Sequence, residues 1–524
     1  MKPRIFFLMT ALLTLALCAG AQTPHPKREV RAAWIASAFN IDWPSKPGLD
    51  GQKQREEFLE ILDSLSAMNI NTVIVQVRPV SDTFYPSSFE PWSEFLTGKQ
   101  GDRSPGQFYN PMRFMVEETH RRNMEFHAWF NPFRATAGSD TSKLSSRHPM
   151  RLHPEWFVKY GNRYYYNPGS AEARAFVTSA VMEAVRHYDI DAVHMDDYFY
   201  PYPVRGQDFP DEREYLAQTD ARIPKPDWRR ANVTAFVSNL SYRIRSERPH
   251  VKFGISPFGV WRNKSQDPNG SDSRASVTNY DHLFADVLLW LRKGMIDYVA
   301  PQLYWSVGYN PADYAKLLDW WAEHSYGRQL FIGQALYKVG DTKVDRNWGK
   351  PDEIMRQIDL NRQNMEVCGN AFFSSRSLLD NPLGVAENLK SEKYRHPAII
   401  PVMPWKKEKR IKSPKVVSVE GNRFEGIRLK WKEPAGNPSV YYVIYRTESD
   451  TPFDPDNPAN ILAKIRRVSG EAQIFTDRSA KKGKTYTYAI SAVSRQHRES
   501  PTSQSVSVKL RRSKTKTLNA FLPL

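Results

Sequence analysis

Asp196 and Asp197 stand side by side at the end of a short apolar run, Ala192-Val-His-Met195, and lead into Tyr198-Phe-Tyr-Pro201. Two adjacent carboxylates support two readings. In one they form an acid/base pair, one carboxyl giving a proton while the other handles positive charge on the substrate. In the other they only cap the turn that follows, as aspartates at strand ends do. The element that carries them decides between the two. In a barrel of parallel strands, the residues where a strand passes into its loop line the reaction site.

Eight short strand-like runs recur along the chain: Ala32 to Ser37, Thr72 to Arg78, Glu125 to Asn131, Ala192 to Asp196, Lys252 to Pro257, Tyr298 to Leu303, Leu330 to Leu336 and Asn370 to Ser375. Amphipathic stretches separate them. Gln54 to Met68 carries Phe58, Leu59, Leu62 and Leu65 at helical spacing, and Met112 to Arg122, Ala171 to His187, Val233 to Arg245, His282 to Arg292, Ala312 to His324 and Asp352 to Met365 follow suit. Eightfold alternation of strand and helix predicts a (β/α)8 barrel. No Gly-x-Gly-x-x-Gly follows any strand, which weighs against a dinucleotide-binding open sheet.

Alternation along each strand sorts its side chains into two faces. Val73, Val75 and Val77 go outward, leaving Gln76 and Arg78 inside; Phe126, Ala128 and Phe130 go outward, leaving His127, Trp129 and Asn131; Val193 and Met195 go outward, leaving His194 and Asp196. Tyr298, Gln302 and Tyr304 share one phase of the sixth strand, and Gln334 is the lone polar group of the seventh. Arg78, Asn131, Asp196, Gln302, Tyr304 and Gln334 therefore fall at or near the ends of their strands. Each alone is a satisfied polar group of the barrel filling; together they predict a polar site at the C-terminal mouth, because buried polar groups are costly unless paired.

Amides, Tyr and Arg suit sugar hydroxyls, and Tyr198 and Trp305, like Phe199, Tyr200 and Trp261, follow strand ends where they can stack on sugar faces. The predicted catalytic residues are Asp196 and Asp197. The predicted substrate-binding residues are Arg78, His127, Asn131, His194, Tyr198, Gln302, Tyr304, Trp305 and Gln334. No His-x-His or His-x-x-x-His spacing accompanies the inward histidines, so neither a metal nor another cofactor is expected. No Gly-x-Ser-x-Gly marks a serine hydrolase.

The flanks differ from the barrel. Lys2 and Arg4, the apolar Ile5 to Leu17 and Ala19-Gly20-Ala21 read as a signal peptide over residues 1–21, so an exported, periplasmic or cell-surface protein is expected. Leu15-Ala16-Leu17-Cys18 is close to a lipidation motif, but Leu17 stands where a small residue is wanted. The apolar stretch is too short to span a bilayer, and no transmembrane helix is expected in the mature chain. Cys368 is then the one remaining cysteine, expected to be buried and inert for want of a basic neighbour.

The barrel is expected over residues 28–400. Pro397, Pro401, Pro404 and Pro414 punctuate a basic linker over 401–413, and seven short strand-like runs follow over 414–510. These predict a β-sandwich, and Trp431 with Tyr486 and Tyr488 resembles a fibronectin type III domain. A basic tail, 511–524, ends the chain. Residues 401–524 hold 25 Lys+Arg against 11 Asp+Glu, while the rest of the chain is nearly balanced at 49 against 46. A basic module on an exported protein can rest on an anionic cell-wall or membrane surface, or simply be a solvated face. No nucleic-acid module is present.

Six stretches taken together resemble the glycosyl-hydrolase-like family ten of bacterial exported proteins: Arg28-Glu-Val-Arg-Ala-Ala-Trp34, Val75-Gln-Val-Arg-Pro79, the loop from Tyr85 to Gly98, His127-Ala-Trp-Phe-Asn-Pro-Phe-Arg134, His194-Met-Asp-Asp-Tyr-Phe-Tyr-Pro201 and Ala300-Pro-Gln-Leu-Tyr-Trp305. The resemblance implies a (β/α)8 glycosidase, and some lipoprotein members of that family act on peptidoglycan strands stripped of stem peptides. The adjacent aspartates also resemble the O-GlcNAcase arrangement. That likeness implies that Asp196 orients the acetamido group of the substrate and Asp197 protonates the leaving oxygen. A rival assignment makes Asp196 the nucleophile and draws the acid from Glu94 or Asp82. Two further functions compete with hydrolysis of a cell-wall or other N-acetylated glycan: glycan binding without catalysis, and adhesion through the basic module.

Overall fold

The computed structural model describes residues 25–101, 109–219, 222–422, 424–448, 451, 453–470 and 472–510. The predicted signal peptide and basic tail lie outside them. Eight parallel strands close into a barrel: β1 (Val30–Ile35), β2 (Thr72–Arg78), β3 (Glu125–Phe130), β6 (Ala192–Met195), β7 (Lys252–Ile255), β8 (Tyr298–Val299), β9 (Gln329–Gln334) and β10 (Val367–Phe372), with β10 pairing back onto β1. A hairpin of β4 (Phe157–Tyr160) and β5 (Arg163–Tyr166) is inserted between β3 and β6.

Helices α1 (Gly51–Ala67), α2 (Pro111–Arg121), α3 (Ala171–His187), α4 (Lys225–Glu247), α5 (Val287–Arg292), α6 (Tyr314–Glu323) and α7 (Glu353–Gln363) lie between the strands. Their starts are chemically marked. The side chains of Asp50, Asn110 and Ser170 accept the backbone N–H of Lys53, Arg113 and Ala173, meeting donors that no helical carbonyl reaches. Phe58, Leu62 and Leu65 of α1 then pack with Val73, Val75 and Val77 of β2 in the layer between strands and helices. Val30, Ala32, Trp34, Ile74, Trp129, Tyr298 and Phe331 fill the barrel interior.

Several barrel strands are shorter than the apolar runs that announce them. β6 ends at Met195, β7 at Ile255 and β8 at Val299. Pro257 and Pro301 lack the N–H that would continue the ladder. Asp196, Ser256 and Gln302 consequently sit in the first residues beyond the strands. β10 starts at Val367, so Cys368 lies inside a strand and not at a helix end; it is partly buried, and burial pushes its thiol up to about 11.

Beyond the barrel, β11 (Lys415–Asn422), β12 (Gly426–Lys432), β13 (Ser439–Glu448), β14 (Ile461–Arg466), β15 (Ala472–Asp477), β16 (Thr485–Ser494) and β17 (Val506–Lys509) form two antiparallel sheets, β11-β12-β15 and β14-β13-β16-β17. Leu429 and Trp431 from one sheet and Tyr442, Tyr488 and Ile490 from the other share one core, the arrangement of a β-sandwich. The preceding segment is not a free linker. Trp405 Nε1 donates to Asp297 Oδ1 at 2.8 Å and Lys406 Nζ pairs with Asp297 Oδ2 at 3.1 Å, at the N-terminal end of the barrel. Among the described residues, no helix is long and apolar enough to cross a membrane.

Candidate active site

The first residues beyond β6 put both carboxyl groups on the floor of an open pocket of about 400 Å³ at the C-terminal mouth. Asp196 is 4% exposed and Asp197 3%. Asp196 Oδ2 accepts from Asn131 Nδ2 at 2.5 Å and Trp129 Nε1 at 3.2 Å, and its Oδ1 accepts the backbone N–H of Tyr198 at 3.3 Å. Asp197 Oδ2 accepts the hydroxyl of Tyr202, and its Oδ1 accepts Gln302 Nε2 at 3.0 Å. The same Gln302 nitrogen also donates to the carbonyl of Ser256 at 2.9 Å, which ties the end of β7 to the acid pair.

Burial, then the neighbouring Asp197 charge, lifts Asp196 to about 7. Burial also raises Asp197, against the pull of the Tyr202 and Gln302 hydrogen bonds. The Arg134 guanidinium favours the ionised form of both. It lies 4.4 Å above the Tyr198 ring, a cation–π contact that holds it beside the pocket. Two buried carboxyls with raised affinity for protons share charge at neutral pH, the condition under which one donates a proton and the other accepts one.

Tyr198, Gln302 and Tyr304 line this pocket together with the acids, as their strand positions predict. Asn131 touches Asp196 from behind, and His194 lies below the floor, wholly buried. Four other residues are elsewhere. The Arg78 guanidinium is wholly buried and spent on Glu90, at 2.6 Å from each carboxylate oxygen, and on the carbonyls of Asn131 and Pro132. His127 sits deep in the barrel between Glu125 and the Tyr298 hydroxyl. Gln334 follows the outward phase of Leu330 and Ile332 and donates to Gln357 on α7 at 3.1 Å. Trp305 packs edge-on against Phe258, 5.5 Å between centroids, and does not line the pocket. Asp82 and Glu94, the rival acids, do not line the pocket.

Trp34, Arg134, Arg163, Tyr202, Ser256, Tyr337 and Phe373 also line the pocket without having been predicted as site residues. The alternation used for other strands reaches two of them: Trp34 shares the inward phase of Ala32, and Ser256 that of Gly254. Tyr202 and Arg134 come from loops whose path no periodicity reports. Among the described residues, no group of three or more His, Cys, Asp or Glu side chains converges as a metal site.

A closed (β/α)8 barrel with an acid pair at the end of its fourth strand defines a glycosidase-like class of protein. Comparison with known proteins agrees. The family model described as "Glycosyl hydrolase-like 10" matches residues 29–350, and the chain belongs to that family. It is similar to "Glycosyl hydrolase YngK" of Bacillus subtilis (strain 168), 46% identical over 503 residues that cover 94% of this chain and 96% of that protein. It is 37% identical over 375 residues to "Glycosyl hydrolase DigH" of Escherichia coli (strain K12), covering 67% of this chain and 84% of that protein. Among solved structures, the PgaB (BpsB) glycoside hydrolase domain from Bordetella bronchiseptica aligns with TM-score 0.45 and 10% identity, over 70% of this chain and 99% of that one.

Proposed function

We propose that the protein hydrolyses glycosidic bonds in an N-acetylated cell-wall glycan of the peptidoglycan type, outside the cytoplasm. The observation that carries this reading is the buried Asp196–Asp197 pair, both members raised in pKa, on the floor of a pocket walled by Trp34, Tyr198, Tyr202, Tyr304 and Tyr337. Aromatic faces suit sugar rings, and paired carboxyls suit an oxocarbenium-like transition state.

In this mechanism Asp197 gives its proton to the glycosidic oxygen as the bond from C1 breaks. The acetamido carbonyl oxygen of the same sugar closes onto C1, while Asp196 takes the hydrogen bond of the acetamido N–H. That second task needs the carboxylate form of Asp196, which the Arg134 guanidinium favours against its burial. Asp197, now a carboxylate, then draws a proton from the water that attacks C1 and reopens the ring, which restores both acids. The test is mass spectrometry of products from purified peptidoglycan, with and without stem peptides, using wild type, Asp196→Asn and Asp197→Asn. New reducing ends from wild type alone support the reading; their absence from wild type, or full activity in Asp197→Asn, overturns it.

A further inference from the structure

Beneath the pocket floor, the barrel axis holds an unbroken file of polar side chains. Glu125, at the base of β3, stands 2.9 Å from His127 Nε2. His127 Nδ1 is 2.9 Å from the Tyr298 hydroxyl, and that hydroxyl is 2.9 Å from His194 Nδ1. His194 Nε2 is 2.9 Å from Ser256 Oγ. Gly254 makes room for this file, since a Cβ there would fall 2.0 Å from the Tyr298 ring. Of the file, Ser256 alone lines the pocket.

One direction of donation satisfies every contact. Trp34 Nε1 lies 3.3 Å from His194 Nε2, and an indole N–H can only donate. His194 Nε2 is therefore bare, and its single proton is on Nδ1. Burial disfavours the imidazolium form of His194 and agrees with a neutral ring. His194 Nδ1–H donates to the Tyr298 oxygen, the Tyr298 hydroxyl donates to His127 Nδ1, and His127 Nε2–H donates to Glu125. The carboxylate at the end of the file is kept ionised, against its burial, by Lys252 and by His497 of the sandwich, whose Nε2 is 2.6 Å away.

The consequence appears at the top of the file. The Ser256 hydroxyl proton is directed downward to the bare His194 Nε2, whose one lone pair it shares, at 2.9 Å, with the more distant Trp34 N–H at 3.3 Å; the carbonyl of Met195, at 3.4 Å, is too distant to compete. We propose that Ser256 is a substrate-binding residue which offers the sugar a hydrogen-bond acceptor and no donor, with its polarity fixed by the file anchored at Glu125. The pocket floor then selects a ligand carrying an O–H or N–H donor at that point. The identity of the ligand rests on the hydrolase reading; the direction of the file does not.

Two measurements on the full chain test this. In ¹⁵N-histidine-labelled wild type, long-range nitrogen–proton spectra are expected to show neutral rings with the proton on Nδ1 of His194 and on Nε2 of His127. A proton on Nε2 of His194 overturns the assignment. The second measurement is calorimetric binding of a peptide-free peptidoglycan tetrasaccharide to Asp197→Asn, and to the same protein with Ser256→Ala or Ser256→Thr added. Ser256→Ala is expected to weaken binding about tenfold and Ser256→Thr, which keeps the oxygen, to retain most of it. Equal affinity with and without Ser256→Ala, absent binding included, overturns the substrate role. Weakened binding alongside a wild type that forms no product would instead sink the hydrolase reading and leave this one standing.

Discussion

Asn131 Nδ2 donates to Asp196 Oδ2 at 2.5 Å, and this bond is the end of a longer brace. The Asn131 side-chain Oδ1 accepts Gln76 Nε2 at 2.6 Å, and Gln76 Oε1 accepts the backbone N–H groups of Ser37 and Ala38 at 3.0 and 2.8 Å. The ends of β1, β2 and β3 thus converge on one oxygen of the pair. Asn131→Ala is expected to leave the fold in place, lift Asp196 further and lower kcat/KM on peptide-free glycan. The stability cost should be ~1–3 kcal/mol, the penalty of a buried donor left unpaired, read from urea denaturation. Unchanged kcat/KM in a folded variant would show that the brace does not serve the chemistry.

How much of this brace could be read before the fold was known depends on the kind of interaction. Alternation alone put Gln76, Asn131 and Asp196 on the inner face, because a strand gives every second side chain to the same side. It did not report depth. His127 lies four residues before Asn131, roughly 13 Å down the strand at ~3.3 Å per residue, and so belongs to the base of the barrel. Nor did it report partners. Arg78 has the inward phase but meets Glu90 from a loop, at 2.6 Å, and a bulge near Gln76 and Arg78 shifts the register. In β9 the run Leu330-Phe-Ile-Gly333 is apolar throughout and shows no phase, so nothing local turned Gln334 toward α7. Loop residues such as Tyr202 depend wholly on long-range packing.

Tyr202 offers a way to tell which acid gives the proton. Its hydroxyl donates to Asp197 Oδ2 and so favours the carboxylate. Tyr202→Phe removes that donor and raises Asp197. If Asp197 is the general acid, the alkaline limb of the kcat/KM profile moves to higher pH, by about one unit for ~1.4 kcal/mol. Movement of the acid limb in the same variant would instead make Asp197 the group that must be ionised.

Asp82 gives a stability prediction whose sign follows from its surroundings. It is wholly buried, its Oδ1 has no hydrogen-bond partner, and burial lifts it to about 7. The folded state therefore holds a proton that the unfolded chain releases near its ordinary value, so the native state loses stability as pH rises from about 4 to about 7. Asp82→Asn keeps the shape and removes the titration. The variant should match wild type near pH 4 and exceed it increasingly up to pH 7, measured as thermal midpoints across that range. A difference that does not grow with pH would place the ionised form comfortably in the fold.

The segment that joins barrel to sandwich yields a prediction of the opposite kind, in which a charge must not be left alone. Lys406 and Asp297 pair at 3.1 Å with side-chain exposures of 6% and 2%, and Trp405 Nε1 and the backbone N–H of Phe253 complete the carboxylate. Breaking a buried pair from one side is costly because the other charge stays behind, typically ~3–5 kcal/mol. Lys406→Met is expected to destabilise the whole chain by roughly that amount. Adding Asp297→Asn should recover part of the loss, since the surviving side chain then carries no charge. A double-mutant cycle in urea isolates the coupling. If Lys406→Met alone costs nothing, residues 401–413 act as a passive tether; if the cycle shows strong coupling, the sandwich is docked through them, and removing residues from 405 onward would damage the barrel as well as the module.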